Sequence, residues 1–204
     1  MLRFFKLLEK YYLKRYLNWF FIFYLGINAL ILLLEYLGHI DSYTKHPSEL
    51  YKVYKKYLYI TFPIVIYFSI AFFFSDLKKN KEDIVIQSLG INFLKVLKGV
   101  IFFIIFIIFL SSYQAKIYGY SYPKIFLLFI FSYISMIWGI LISQDKDFSY
   151  IILGFVLIFS VFNIFSSMIN YHVVSLKTLV AFGITLFILS LIYFYKHQKE
   201  KGFI

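Results

Sequence analysis

Six stretches of this chain run for 17 residues or more without a single Asp, Glu, Lys or Arg, and they constrain its fold more than any other feature. They are residues 16–34, 57–75, 99–115, 125–144, 148–176 and 178–195. A helix needs about 20 apolar residues to cross a hydrocarbon core of about 30 Å at a rise of about 1.5 Å per residue. Each run is close to that length. The run 99–115 is at the short end, and 148–176 has slack for a polar turn around Asn170, Tyr171 and His172. The first run is too long for a cleaved signal peptide and has no small-residue cleavage site behind it. The pattern predicts an all-α, polytopic membrane protein forming one transmembrane domain over residues 1–204. Its spans are expected at about 16–37, 56–75, 97–115, 124–144, 148–169 and 176–195.

Composition agrees. Of 204 residues, 62% are hydrophobic and 15% charged, with a mean hydropathy of +0.80, against roughly 25% charged residues in ordinary soluble domains. The absence of cysteine excludes disulfide frameworks, thiolate metal sites and thiol nucleophiles. A net charge of +11 invites a nucleic-acid reading, but that requires the charge on one patch. Here the basic residues flank the spans. Fourteen fall before span 1, between spans 2 and 3, after span 4 or at the end of the chain, and seven fall on the opposite side. Basic residues mark the cytoplasmic side, so both termini are expected there, and no nucleic-acid partner is expected.

The membrane interior carries almost no ionisable groups, which would otherwise mark ion or proton pathways. Glu35, at the outer end of span 1, reads either as an interfacial residue or as a polar lining between helices. No H-E-x-x-H spacing holds a metal, and no G-x-x-x-x-G-K-[ST] loop cradles a nucleotide, so neither a catalytic site nor a cofactor on this chain is expected. Pro63 is the one proline within a predicted span, and is expected to kink it.

The loop between spans 2 and 3 is the most structured of the connections. Asn80 suits an N-cap, Glu82 and Asp83 put negative charge in a first turn, and Gly90 supplies a left-handed stop, so a short helix is expected at about 81–89. Asn92 is placed to cap the helix leading into span 3. A helix this short is not stable alone in water and needs packing against the spans or a partner. An ordinary inner loop and a coupling helix, which transmits motion from a soluble motor, both remain open on spacing alone.

These features, in order, resemble the LptF/LptG (YjgP/YjgQ) permeases of the lipopolysaccharide-export ABC transporter. The resemblance rests on the basic aromatic start Lys14-Arg15-Tyr16-Leu17, on Phe62-Pro63-Ile64-Val65 in span 2, and on Ser75-Asp76-Leu77 at its end. It rests further on the block from Glu82 through Val85, Ile86 and Gln87 to Gly90. Leu153-Gly154-Phe155-Val156 through Phe194-Tyr195-Lys196 is similar to the family's last two spans.

The resemblance implies an inner-membrane permease subunit that pairs with a second like or identical subunit and extracts a lipid, with ATP and Mg²⁺ held on a separate cytoplasmic ABC ATPase. Glu82, Asp83, Gln87 and Gly90 would form the ATPase-coupling segment. The chain departs from the family between spans 3 and 4. Family members carry a periplasmic β-jelly-roll there, yet only residues 111–122 are available, so a separate periplasmic bridge protein is an expected partner. The family's basic residues near the outer end of span 1 are unmatched, since Glu35 and Asp41 stand there. Lys45, Lys52, Lys55 and Lys56 are the substitutes for holding lipid headgroups, the last three sharing one helical face. A non-transporting membrane scaffold and a permease for another lipid are the competing readings.

Overall fold

The computed structural model describes residues 2–45, 48–50, 52, 61–89, 96–145, 151–158, 160–161, 164 and 176–200. Every regular element among them is helical: α1 (Leu2–Gly38), α2 (Ile40–Lys45), α3 (Phe62–Lys79), α4 (Glu82–Ser88), α5 (Lys98–Ile117), α6 (Tyr122–Asp145) and α7 (Leu176–Glu200). Residues 151–158 are helical as well. In a bilayer the backbone must satisfy its own polar groups, and apolar runs of this length do so as helices. The 37 residues of α1 extend about 55 Å, more than the roughly 40–45 Å between headgroup layers. Its first turns, with Lys6, Lys10, Lys14 and Arg15, therefore project beyond the apolar core.

Three helices among the described residues are long and apolar enough to cross a membrane: α1, α5 and α6. That is fewer than the six expected, for local reasons. Helix α3 spans 18 residues but ends with Asp76, Lys78 and Lys79, and residues 56–60 of its predicted span lie outside the described residues. The apolar stretch of α7 is the shorter Ala181–His197. The fifth predicted span is described mainly at residues 151–158. Pro63 stands in the first turn of α3 as described, where a missing N–H interrupts no helical hydrogen bond.

Helices α3 and α6 form the central pair, with α1 packed on α3 and α5, and α7 on α6. Of the most apolar window in α6, 56% is buried, against 11% in α1, which makes α6 the inner helix and α1 a peripheral one. Because lipid is as apolar as a leucine side chain, helices in a membrane associate through close packing and polar bonds. Both kinds are present. At Gly139 of α6, a Cβ would sit 3.1 Å from the Tyr67 carbonyl oxygen of α3, so the glycine sets how near the two helices come. Tyr16 of α1 and Ser69 of α3 share a buried hydrogen bond of 3.0 Å, and the Tyr67 hydroxyl donates to the Ile151 carbonyl at 2.8 Å. Tyr16, Phe20, Phe73 and Phe103 interlock, mostly edge to face, with centroids 5.4 to 6.3 Å apart.

Helix α5 ends at Ile117, and Gly119, with a φ of +75°, makes the left-handed stop two residues on. The Gly119 and Tyr120 amides donate back to the Lys116 and Ala115 carbonyls, and α6 begins at Tyr122. The turn between α5 and α6 thus holds no inserted domain.

Gly139→Leu is expected to destabilise the protein in detergent by about 1–3 kcal/mol through overpacking at the α3–α6 contact. Gly26→Leu, whose Cβ would meet nothing within 4 Å, should leave the melting temperature unchanged. Thermal unfolding followed by circular dichroism checks both.

Candidate functional site

Helix α1 carries Tyr12, Arg15, Tyr16, Trp19 and Phe20 at steps of three and four residues, which brings them onto the face packed against α3. Arg15 is the one cation in that series. Its Nε donates to Asp76 Oδ2 at 2.7 Å, and its Nη1 donates to Glu82 Oε1 in a short contact and to the Tyr11 hydroxyl at 3.3 Å. The guanidinium also lies 5.9 Å from the Tyr11 ring centroid. The side chains of Arg15, Asp76 and Glu82 are 15%, 27% and 23% exposed, so water screens their attraction only in part. Two carboxylates thus converge on one guanidinium, whose planar set of donors serves both at once.

Each carboxylate has a local reason to need that cation. Asp76 lies in the final turns of α3, where the helix dipole is negative and an acid is unfavourable. It gathers three donors: Arg15, the Trp19 indole Nε1 at 3.4 Å and the Asn80 amide at 3.3 Å. Glu82 opens α4 and faces back towards α1. Asn80 does not cap α4. It is the C-cap of α3, with its backbone N–H on Asp76 O, and its side chain is engaged by Asp76 four residues earlier. Lys81 makes the corner instead, at φ +54°, and α4 follows at once.

Helix α4 has two faces. Ile86 is buried within the main core, while Ile84 and Val85 are 58% and 54% exposed and Leu89, just past its end, is 58% exposed. Of the expected coupling residues, Glu82 is therefore in the ion cluster, and Asp83 and Gln87 lie on α4 with side chains outside the described set. Gly90 and Asn92 lie outside the described residues, as do Lys55 and Lys56. Lys52 is exposed, and Lys45 ends α2. Glu35 is partly buried and accepts a 2.7 Å hydrogen bond from Tyr43, joining α1 to α2.

The sequence reading missed Arg15 and Asp76 as partners of Glu82. A signal was there: an acid placed at the end of an apolar run, against the helix dipole, calls for a cation from elsewhere in the chain.

The family model for the lipopolysaccharide export system permease LptF/LptG matches residues 10–118. The chain belongs to the LptF/LptG family. The match covers just over half of its length, from the first turns of α1 to the end of α5, and includes Tyr11, Arg15, Trp19, Asp76 and Glu82. No curated protein and no solved structure matches the chain. Membership agrees with a membrane-embedded transport subunit. The short turn after α5 is a feature of this chain, in place of the extramembrane domain that the resemblance implies between those helices.

Removing Arg15 leaves Asp76 and Glu82 facing one another without a cation. Arg15→Gln is expected to destabilise the protein more than Asp76→Asn does. The Arg15→Gln/Glu82→Gln double variant should be less unstable than the sum of the two singles, by about 1–3 kcal/mol. A double-mutant cycle on unfolding in mild detergent measures the coupling, and strictly additive effects would show that the contact contributes nothing.

Proposed function

We propose that this chain is the permease subunit of an ABC transporter that extracts lipopolysaccharide from the inner membrane. A second permease subunit, like or identical, completes the path, and a separate cytoplasmic ATPase binds ATP and Mg²⁺. Family membership supports the transported class. The chain crosses the membrane six times, with both termini cytoplasmic, in line with its six uncharged runs and the distribution of its lysines. The turn between α5 and α6 leaves the periplasmic bridge to another protein. Lys45, Lys52, Lys55 and Lys56, which the sequence puts between predicted spans 1 and 2, would hold the lipid phosphates.

One observation carries the mechanism: α4 is tethered on one face and bare on the other. An apolar ridge of Ile84, Val85 and Leu89 at a helix outside the spans is costly in water and economical against a partner. The ridge docks the ATPase, with Asp83 and Gln87 on the same helix and Gly90 just beyond it in the sequence. Glu82 serves as a strut to Arg15, and does not itself form the docking contact. A push on α4 is carried through Glu82 to Arg15 and α1, and through Asp76 to α3. Two spans then move together when the ATPase closes.

Affinity purification of the tagged chain from its native membrane should recover an ATPase subunit. The Ile84→Asp/Val85→Asp pair should lower that recovery about tenfold or more, as loss of an interface anchor does. Glu82→Gln should retain the complex yet weaken the stimulation of ATP hydrolysis by lipopolysaccharide. Full recovery with the ridge variant, or no ATPase with the unaltered chain, would overturn the assignment.

A further inference from the structure

A cavity of about 680 Å³ lies between α6, the helical segment from residue 151 and α7, within the roughly 300–1,000 Å³ typical of small-molecule sites. It falls beyond the residues matched by the family model. Its walls are Trp138 and Ile142 of α6, Leu157 of the middle segment, and Leu189, Tyr193 and Lys196 of α7, among other mainly apolar residues. Two polar groups of the wall meet each other, the Trp138 indole donating to Ser190 Oγ at 3.1 Å. Trp138 and Tyr193 stack at 6.0 Å, which keeps the wall flat and apolar. Gly154 lets the middle segment come close, because a Cβ there would collide with the Ile142 side chain and lie 2.6 Å from the Tyr67 hydroxyl.

The cavity is polarised along its length. On α7 it runs from Leu186 to Lys196, about 15 Å at a helical rise of about 1.5 Å per residue. That is half of the roughly 30 Å hydrocarbon core, the depth of a single leaflet. Lys196 stands at the end of the last uncharged run, exposed, at the level where a lysine reaches the headgroups. Among the described residues, no carboxylate pairs with it. Ile142 and Gly154, which mark the same end of the cavity, are also the residues nearest the loop between the fourth and fifth predicted spans. A slot one leaflet deep, mainly apolar and bordered at its headgroup end by one cation, complements a single amphiphile with one negative charge.

We propose that this cavity seats an anionic phospholipid, with an acyl chain between α6 and α7 and its phosphate on Lys196. The lipid is a resident of the leaflet beside Lys196, distinct from exported cargo. It fills space that the helices leave open and joins α7 to the central α6. The site does not depend on the transport assignment, because it needs only the membrane and these three helical segments.

The chain has two tryptophans, Trp19 and Trp138, and the second lines the cavity, so brominated lipids report occupancy directly. The full chain carrying Trp19→Phe is reconstituted in phosphatidylcholine nanodiscs doped with phosphatidylglycerol brominated on its acyl chains. Brominated phosphatidylcholine at the same mole fractions is the comparison. Phosphatidylglycerol should quench Trp138 fluorescence at about fivefold lower mole fraction than phosphatidylcholine, the selectivity that one lysine near an anionic lipid provides. Lys196→Gln, at an exposed position that leaves the packing intact, should abolish the preference while keeping basal quenching by both lipids. Equal quenching by both lipids in the Lys196 protein would mean an annular lipid only and overturn the proposal. So would a preference that persists in Lys196→Gln, or an absence of quenching with either lipid.

Discussion

Inside a bilayer the hydrophobic effect puts helices into the membrane and then does little to press one against another. What holds this chain together is therefore the small set of places where helices touch closely or share a polar bond. Gly139 lets α6 approach the backbone of α3 at Tyr67, and Tyr67 in turn reaches the Ile151 carbonyl with its hydroxyl. Tyr16 and Ser69 do the same between α1 and α3. Buried serines elsewhere, such as Ser132 and Ser143 of α6, bond their own helix's carbonyls, so they enter the apolar interior without an unmet partner. The outward faces of α1, α5 and α7 stay rich in exposed Phe, Leu and Ile, as lipid contact requires.

At one end of this packing the rules change, because charge reappears. Arg15 collects Asp76 from the end of α3 and Glu82 from the start of α4, and so joins three helices at one guanidinium. The arrangement answers two local problems together: an acid at the wrong end of a helix dipole, and a seven-residue helix too short to persist unaided. A short helix fixed in this way behaves as part of the spans. Its exposed face, Ile84 and Val85, then projects from the packed spans.

The two ends of the chain divide the work differently. Residues 10–118 match the family and contain the ion cluster and α4. Beyond them, α6 and α7 with the segment from residue 151 line the mainly apolar cavity that Lys196 borders. Helix α6 belongs to both halves, since it packs on α3 on one side and on α7 on the other. A change of position in α3 therefore reaches the cavity through α6 and through the Tyr67 contact with the segment from residue 151.

The sequence by itself determined that the chain is helical and membrane-embedded, because runs such as 16–34 and 125–144 have no other way to satisfy their backbones. It also determined a short helix near Glu82 and the absence of a domain between α5 and α6, since both depend on local signals: the acidic first turn, and the chain length available around Gly119. The number of clear spans was less legible, because Asp76, Lys78 and Lys79 share the end of α3 with its apolar body. Only the tertiary structure decided that Glu82 turns inward to Arg15, that Asn80 belongs to the end of α3, and that Lys196 borders a cavity. Those outcomes join residues up to 67 positions apart, and a linear pattern carries periodicity and capping but not which distant charge a side chain will meet.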